Sequence, residues 1–292
     1  MVSDPIVKER PVSKIASARN ALREGGISEL TRRTRLWMAG RIYPGDIPQP
    51  RQPRQPRRPA APKPSASDVD HERAYAWFES RRSTYEELAA ASAPYVDPDG
   101  VFFDVGGNIG YFTKVLAETV GFRGAVHLFE PVPNLAALCA ITLKDVPYDV
   151  HIHQFGLAEQ DATADIYIGA DGNLGWNTMV AEKTQAGMSA MKIQIRAFAD
   201  LEIASIPTFV KIDVEGAEHR VIEGMLASLR SWPTRPTILC EIGWGRNHPQ
   251  WNDELAVFAE LESLGYRTVD LGGSPVVLAD LDKTTDVIFL PS

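Results

Sequence analysis

The chain has 292 residues, 44% of them hydrophobic, with a net charge of −8 and two cysteines, Cys139 and Cys240. This length and composition give one large or two small globular domains with a proper core; two thiols are too few for a disulfide framework, as in a reducing intracellular setting. The first residues lack a signal-peptide pattern and no run approaches the roughly 20 apolar residues of a membrane span, so the expected place is the cytoplasm, soluble or at most peripheral to a membrane.

The charge is unevenly spread. Residues 1–64 hold 14 Lys+Arg and 5 Asp+Glu, a net of +9, and residues 65–292 hold 16 and 33, a net of −17. A field of that sign on the body repels phosphates and argues against non-specific nucleic-acid binding. Residues 1–43 form a basic arm that reads as two helices broken at Gly25 and Gly26. Its second half, ISELTRRTRLWMAGRIY, interleaves Arg32, Arg33, Arg35 and Arg41 with Leu30, Leu36, Trp37 and Ile42. Such a mixture suits contact with anionic lipid, or packing on the body or on a second copy of the chain in a homo-oligomer. Residues 44–67 are a Pro/Arg-rich linker, unable to sustain a helix or ladder and extended in a polyproline-like form.

The body, 68–292, opens with a helical stretch from His71 to Ala91. Strand-like and helix-like segments then alternate. VFFDV (101–105) precedes a helix with Ile109, Phe112, Val115 and Leu116 on one face, and AVHLFEP (125–131) precedes a helix through Leu135, Leu138 and Ile141. DVHIHQF (149–155) reads as a third strand, and ADIYIG and KIQIRAF as an extra hairpin around the Gly-rich DGNLGWN. TFVKIDV (208–214) leads into a helix over 216–229, and TILCEIGW (237–244) into one from Asp253 to Leu264, before two closing strands, YRTVDL and TDVIFL. Alternation of this kind predicts an α/β fold, a mostly parallel sheet covered by helices on both faces.

In such sheets a ligand sits at the carboxyl ends of the strands, and the first strand-to-helix turn is the usual site. That turn is DVGGNIG (104–110). The dinucleotide fingerprint G-x-G-x-x-G fails, because Asn108 and Tyr111 stand where its second and third glycines belong, and the phosphate loop is absent. Glu130 ends the next strand, where a carboxylate can accept bonds from both ribose hydroxyls. A nucleoside without a pyrophosphate, S-adenosylmethionine, suits this set, and the glycines then let the ligand approach the backbone.

FFDVGGNIGYFT, FEPVPN, FVKIDVEGAEHRVIEGM and ILCEIGW follow in order from about residue 100 to 245. The sequence resembles the FkbM-type methyltransferases, a class I family dependent on S-adenosylmethionine. The resemblance implies a Rossmann-like fold around a seven-stranded sheet with an inserted β-hairpin. It implies that Asp104 and Gly106 line the methionine part of the cofactor, with Gly107, Asn108 and Gly110 completing the turn. Glu130, followed by Pro131, holds the ribose, and Gly156 and Leu157 flank the adenine, with Glu159 a further candidate there. Two departures are Gly107, where Ala is common, and IRAFADL, where a Thr-Leu-Asp often stands.

Methyl transfer from a sulfonium is an in-line displacement, so the protein must hold an acceptor oxygen about 3 Å from the methyl. A base or a metal that takes the hydroxyl proton adds about 10²–10⁴-fold. Lys211, Asp213 and Glu215 are spaced by two and share a strand face, and Glu241 falls on the neighbouring strand. Asp213 is the candidate base, Lys211 its countercharge, and Asp213 with Glu241 the candidate oxygen ligands for Mg²⁺; an N-cap is the plain alternative for Asp213. His219 could reach the pocket from the following helix. Trp176, Trp244 and His248, with Trp251, could form an aromatic wall for a sugar. The expected activity is O-methylation of a sugar, glycolipid or other natural-product hydroxyl. A non-catalytic module that keeps the cofactor fold and an NAD-dependent oxidoreductase are the alternatives.

Overall fold

The computed structural model describes residues 71–169 and 177–292. The basic arm, the Pro/Arg-rich linker and Trp176 lie outside the described residues. The stretch expected as one helix is two, α1 (His71–Glu79) and α2 (Arg82–Ser92). The break has a local cause: the Ser80 hydroxyl and the Arg81 guanidinium both donate to the Trp77 carbonyl, at 2.7 and 3.1 Å, and the guanidinium lies 3.8 Å over the Trp77 ring. Side chains that bond the last carbonyls compete with continuation of the helix.

The alternating elements that follow are β1 (Val101–Val105), α3 (Tyr111–Val120), β2 (Ala125–Phe129), α4 (Pro133–Thr142) and β3 (Asp149–His153). β7 (Phe209–Ile212), α5 (Glu218–Ser231), β8 (Thr237–Ile242), α6 (Trp251–Ser263), β9 (Arg267–Val269) and β10 (Thr285–Leu290) complete the series. Seven strands form one sheet in the order β3-β2-β1-β7-β8-β10-β9, in which β10 alone runs antiparallel to its neighbours. The sheet is buried on both faces, so its strands read as continuous apolar runs. Phe102, Leu128, Phe209 and Leu239 pack on α3 and α4, while Phe103, Val105, Val210 and Ile212 pack on α5 and α6.

The expected hairpin is present and larger than predicted. β5 (Ala162–Ile168) pairs antiparallel with β6 (Ser189–Ala197), and β4 (Gly156–Ala158) joins β6 in parallel, giving a separate three-stranded sheet. The third strand therefore ends at His153, two residues before the predicted limit, because Gly156 belongs to this second sheet.

β2 and β3 carry three histidines on one face. The His127 ring stacks on His151 at 4.6 Å and on His153 at 5.3 Å, and its Nδ1 lies 3.1 Å from His153 Nε2. Burial, then the neighbouring histidines, depress the His127 pKa to about 3; burial, then His151, depress that of His153 to about 4. Both rings stay neutral in the native state, whereas in the unfolded chain they take up protons near pH 6.5. Their contribution to stability is complete above about pH 6.5 and is lost as pH falls from there through about 4. Replacing His127 by Phe keeps the stack and removes one such group. The melting temperature of His127→Phe relative to the parent is expected to rise steadily between pH 7 and pH 5, and thermal melts at matched pH read it directly. A pH-independent difference would refute this account.

Candidate active site

The strand order reverses between β1 and β7, and the crevice at such a switch point is where open α/β sheets bind ligands. A cavity of about 1090 Å³, counted to its open mouth, lies there. Of the residues singled out in the sequence, Gly106, Gly107, Asn108, Glu130, Pro131, Gly156, Leu157, Lys211, Asp213 and Glu215 line it.

The glycine turn is built mainly around the protein's own packing. Gly106 has φ +80°, and a Cβ on it would fall 1.8 Å from the Asp213 carbonyl oxygen. A Cβ on Gly107 would enter the Leu128 side chain at 2.3 Å, and Gly110, with φ +77°, lies against Leu143. Beside the expected approach of a ligand, the glycines have a packing cause: the turn has to nest between β2 and the loop after β7. Gly110 does not line the cavity.

Asp104 is also displaced from its expected role. It is fully buried, accepts a hydrogen bond from the Thr113 hydroxyl and lies 3.5 Å from Lys211 Nζ. It does not line the cavity and acts as an internal anchor. Glu130, in contrast, reaches the cavity while its two oxygens accept the N–H groups of Asn108 and Val132, both at 2.9 Å. Burial raises its pKa to about 8, opposed by those two N–H bonds. A carboxylate oxygen has more than one acceptor position, so each can still receive a ribose hydroxyl. Beyond it, Gly156, Leu157 and Ala158 give an apolar flank, edged by Arg220. Glu159, a candidate at the adenine, is instead held by the Arg220 guanidinium at 2.7 and 3.1 Å.

On the other side of the turn, Lys211 Nζ lies 3.1 Å from Asp213 and donates to the Gly106 carbonyl at 2.9 Å. Burial works against its charge, but Asp213 and Asp104 outweigh that and hold its pKa above the ordinary lysine range. Asp213 is not an N-cap: the helix begins behind Ala217, which makes no side-chain cap bond. The loop is tied instead by Glu218, whose carboxylate accepts the N–H groups of Val214 and Gly216 at 3.1 and 2.9 Å. Thr178, from the hairpin connection, donates its hydroxyl to the Glu215 carbonyl at 2.8 Å. Asn108, Glu215 and Trp244 are the non-glycine residues with positive φ among those described; the first two line the cavity and Trp244 covers Gly216 in the adjoining loop. Strained backbone of that kind concentrates where geometry is set for function.

Oxygens of Asp213, Glu215 and Glu241 lie within 4.8 Å of one another. Glu241 stands outside the cavity lining, behind Asp213. Its pKa is raised first by Asp213 and then by burial, and that of Glu215 first by burial and then by Asp213. Asp286, opposite Glu241 in the sheet, joins the group; burial and Asp213 raise its pKa to about 6. The sequence reading missed Asp286, because its strand was recognised but not its place between β8 and β9.

Among the described residues, the expected tryptophan–histidine wall does not line the cavity. His248 is buried, with Nδ1 2.6 Å from Glu254, and its ring stacks under Trp244. His219 is buried beside the same carboxylate at 3.6 Å, and Trp251 packs in the core of α6. Trp244 covers Gly216, whose Cβ would meet the indole at 2.5 Å. None of these four lines the cavity. The aromatic side is supplied by residues that sequence patterns did not mark, Phe78 and Tyr85 of the N-terminal helices and Tyr111 of α3. Only their ring character signalled this, since a helix face of aromatics reads equally as core.

The profile of the methyltransferase FkbM domain matches residues 104–268, more than half of the chain. The chain belongs to the FkbM methyltransferase family. The matched segment runs from the glycine turn of the FkbM domain through the acidic cluster to β9, so the cavity is that of an S-adenosylmethionine-dependent methyltransferase. No curated protein matches the chain in sequence. Among solved structures, the O-methyltransferase from Bacillus cereus in complex with SAH is similar at 11% identity and TM-score 0.44, over 77% of this chain and 91% of that one. The O-methyltransferase TomG from Streptomyces achromogenes, in complex with SAM, is similar at 11% identity and TM-score 0.42, over 78% and 92%. Streptomyces venezuelae DesVI has 11% identity and TM-score 0.42, over 77% and 100%. Likeness at this level carries no functional weight beside the family match.

Proposed function

We propose that this FkbM methyltransferase transfers a methyl group from S-adenosylmethionine to a hydroxyl of a sugar, glycolipid or other small natural product. The observation that supports it is the Asp213 carboxylate, set in the cavity between the glycine turn and the aromatic side, with Lys211 at 3.1 Å. The residues present fit the cofactor. Glu130 would hold the ribose hydroxyls, Gly156 and Leu157 would flank the base, and the Gly106–Asn108 turn would carry the methionine part. When bound, the cofactor supplies an activated methyl on a positive sulfur. Asp213 would accept the proton of the acceptor hydroxyl and hold its oxygen in line, which is most of what such a displacement needs. No helix among the described residues is long and apolar enough to cross a membrane. The basic arm would bring the body to lipid-linked acceptors at an anionic surface.

The same carboxylates are the set that would hold Mg²⁺. Lys211 already supplies a countercharge at Asp213, so turnover is expected to survive a chelator. The test is to incubate the full chain with methyl-labelled S-adenosylmethionine and a small-molecule and glycolipid extract, with and without chelator. A methyl ether resists mild alkali and a methyl ester does not. Label released by alkali, or carried on nitrogen, would overturn methylation of a hydroxyl; loss with chelator and recovery with Mg²⁺ would move Asp213 from base to ligand. A chain that binds cofactor but labels nothing would instead be a binding module.

A further inference from the structure

The aromatic side of the cavity carries an unused polar group. Three tyrosines meet where α1 and α2 pack on α3. The Tyr111 hydroxyl donates to Glu79 at 2.7 Å, and the Tyr75 hydroxyl accepts from Lys114 at 3.1 Å. The Tyr85 hydroxyl makes no hydrogen bond among the described residues, although its ring is half-buried and lines the cavity. The hydroxyl is thus open for a ligand to bond. The ring itself is held firmly, edge-on to Tyr111 at 5.2 Å and tilted on Phe78 at 5.7 Å. Asp213, Lys211 and Glu241 are close enough to act on the hydroxyl electrostatically: burial, then Asp213, raises its pKa to about 12. It therefore remains a neutral donor at any physiological pH. Phe78 and Tyr85 also precede the family-matched segment, which begins at residue 104. This part of the wall is thus separate from the shared cofactor machinery.

We propose that α1 and α2 carry the acceptor subsite of this enzyme, with Tyr85 as its positioning residue. The inference rests on the reading of hydroxyl methylation given above. The Phe78 and Tyr85 rings take the apolar face of a neutral, polyhydroxylated acceptor. The Tyr85 hydroxyl donates to one acceptor oxygen and so turns a neighbouring hydroxyl toward Asp213.

The test uses the full chain saturated with S-adenosylhomocysteine, and p-nitrophenyl β-D-glucopyranoside as the probe, a neutral polyol with an apolar face. Probe affinity is read by saturation-transfer NMR and cofactor affinity by calorimetry. Tyr85→Phe keeps the ring and is expected to weaken the probe by about five- to tenfold, the worth of one hydrogen bond. Tyr85→Ala weakens it further. Tyr75→Phe, whose hydroxyl serves Lys114, leaves probe affinity unchanged, and all three variants bind S-adenosylhomocysteine as the parent does. Equal probe binding by Tyr85→Phe and the parent, or no probe binding to the loaded parent, overturns the subsite. Absence of S-adenosylhomocysteine binding in the parent overturns the methyltransferase reading beneath it, and is a separate result.

Discussion

Asp213→Asn is expected to slow methyl transfer by about 10²–10⁴-fold, the usual worth of a positioned proton acceptor, while S-adenosylhomocysteine affinity stays within about twofold. The substitution keeps shape and size. Lys211 retains its bond to the Gly106 carbonyl at 2.9 Å and its approach to Asp104 at 3.5 Å, so the pocket does not collapse when the charge is removed. What disappears is the capacity to take the acceptor's proton as the carbon–oxygen bond forms. Single-turnover labelling with saturating cofactor separates this step from binding. A rate within threefold of the parent would remove Asp213 from the reaction and leave Glu215 as the candidate beside it, Glu130 being tied to the glycine turn.

Glu130→Gln is expected to act on the other half of the site, weakening S-adenosylhomocysteine by about 10- to 100-fold. The Glu130 carboxylate accepts two N–H groups at once, from Asn108 and Val132. An amide can accept through only one of its two terminal atoms; the other turns an NH₂ toward a donor. One buried N–H is then left without a partner, at a cost of about 1–3 kcal/mol. The turn is loosened and a ribose contact goes with it. Calorimetry should show the lost affinity, and a thermal melt a lower midpoint in the absence of cofactor. Unchanged affinity would show that Glu130 shapes the turn without touching the ligand.

The half of this site proposed to hold the cofactor was legible in the sequence because it is local. DVGGNIG and FEP each place their residues by one strand and one turn, and those residues meet where the strand order reverses. The same locality placed Lys211, Asp213 and Glu215. The acceptor half was not legible, because contacts between distant segments build it. Tyr85 reaches the cavity only through the packing of α2 on α3, and Asp286 joins the acidic group beside Glu241 only through the insertion of an antiparallel strand. His248 and Trp251 misled for the complementary reason. A polar or aromatic residue in a loop reads as a ligand contact, whereas here Glu254 draws His248 inward from the first turn of α6. The two-helix start was missed because the break is made by Ser80 and Arg81, neither of which interrupts a helix by its backbone alone.

The backbone of the glycine turn rests directly on the carbonyl of Asp213, with no room for a methyl group between them, and Lys211 laces the two loops together. Grip on the donor and aim at the recipient are therefore properties of one rigid piece. Directed evolution of this scaffold should find that gains in donor affinity won inside that piece are accompanied by altered turnover. Changes confined to the leading helices offer the independent dial for choosing what becomes methylated.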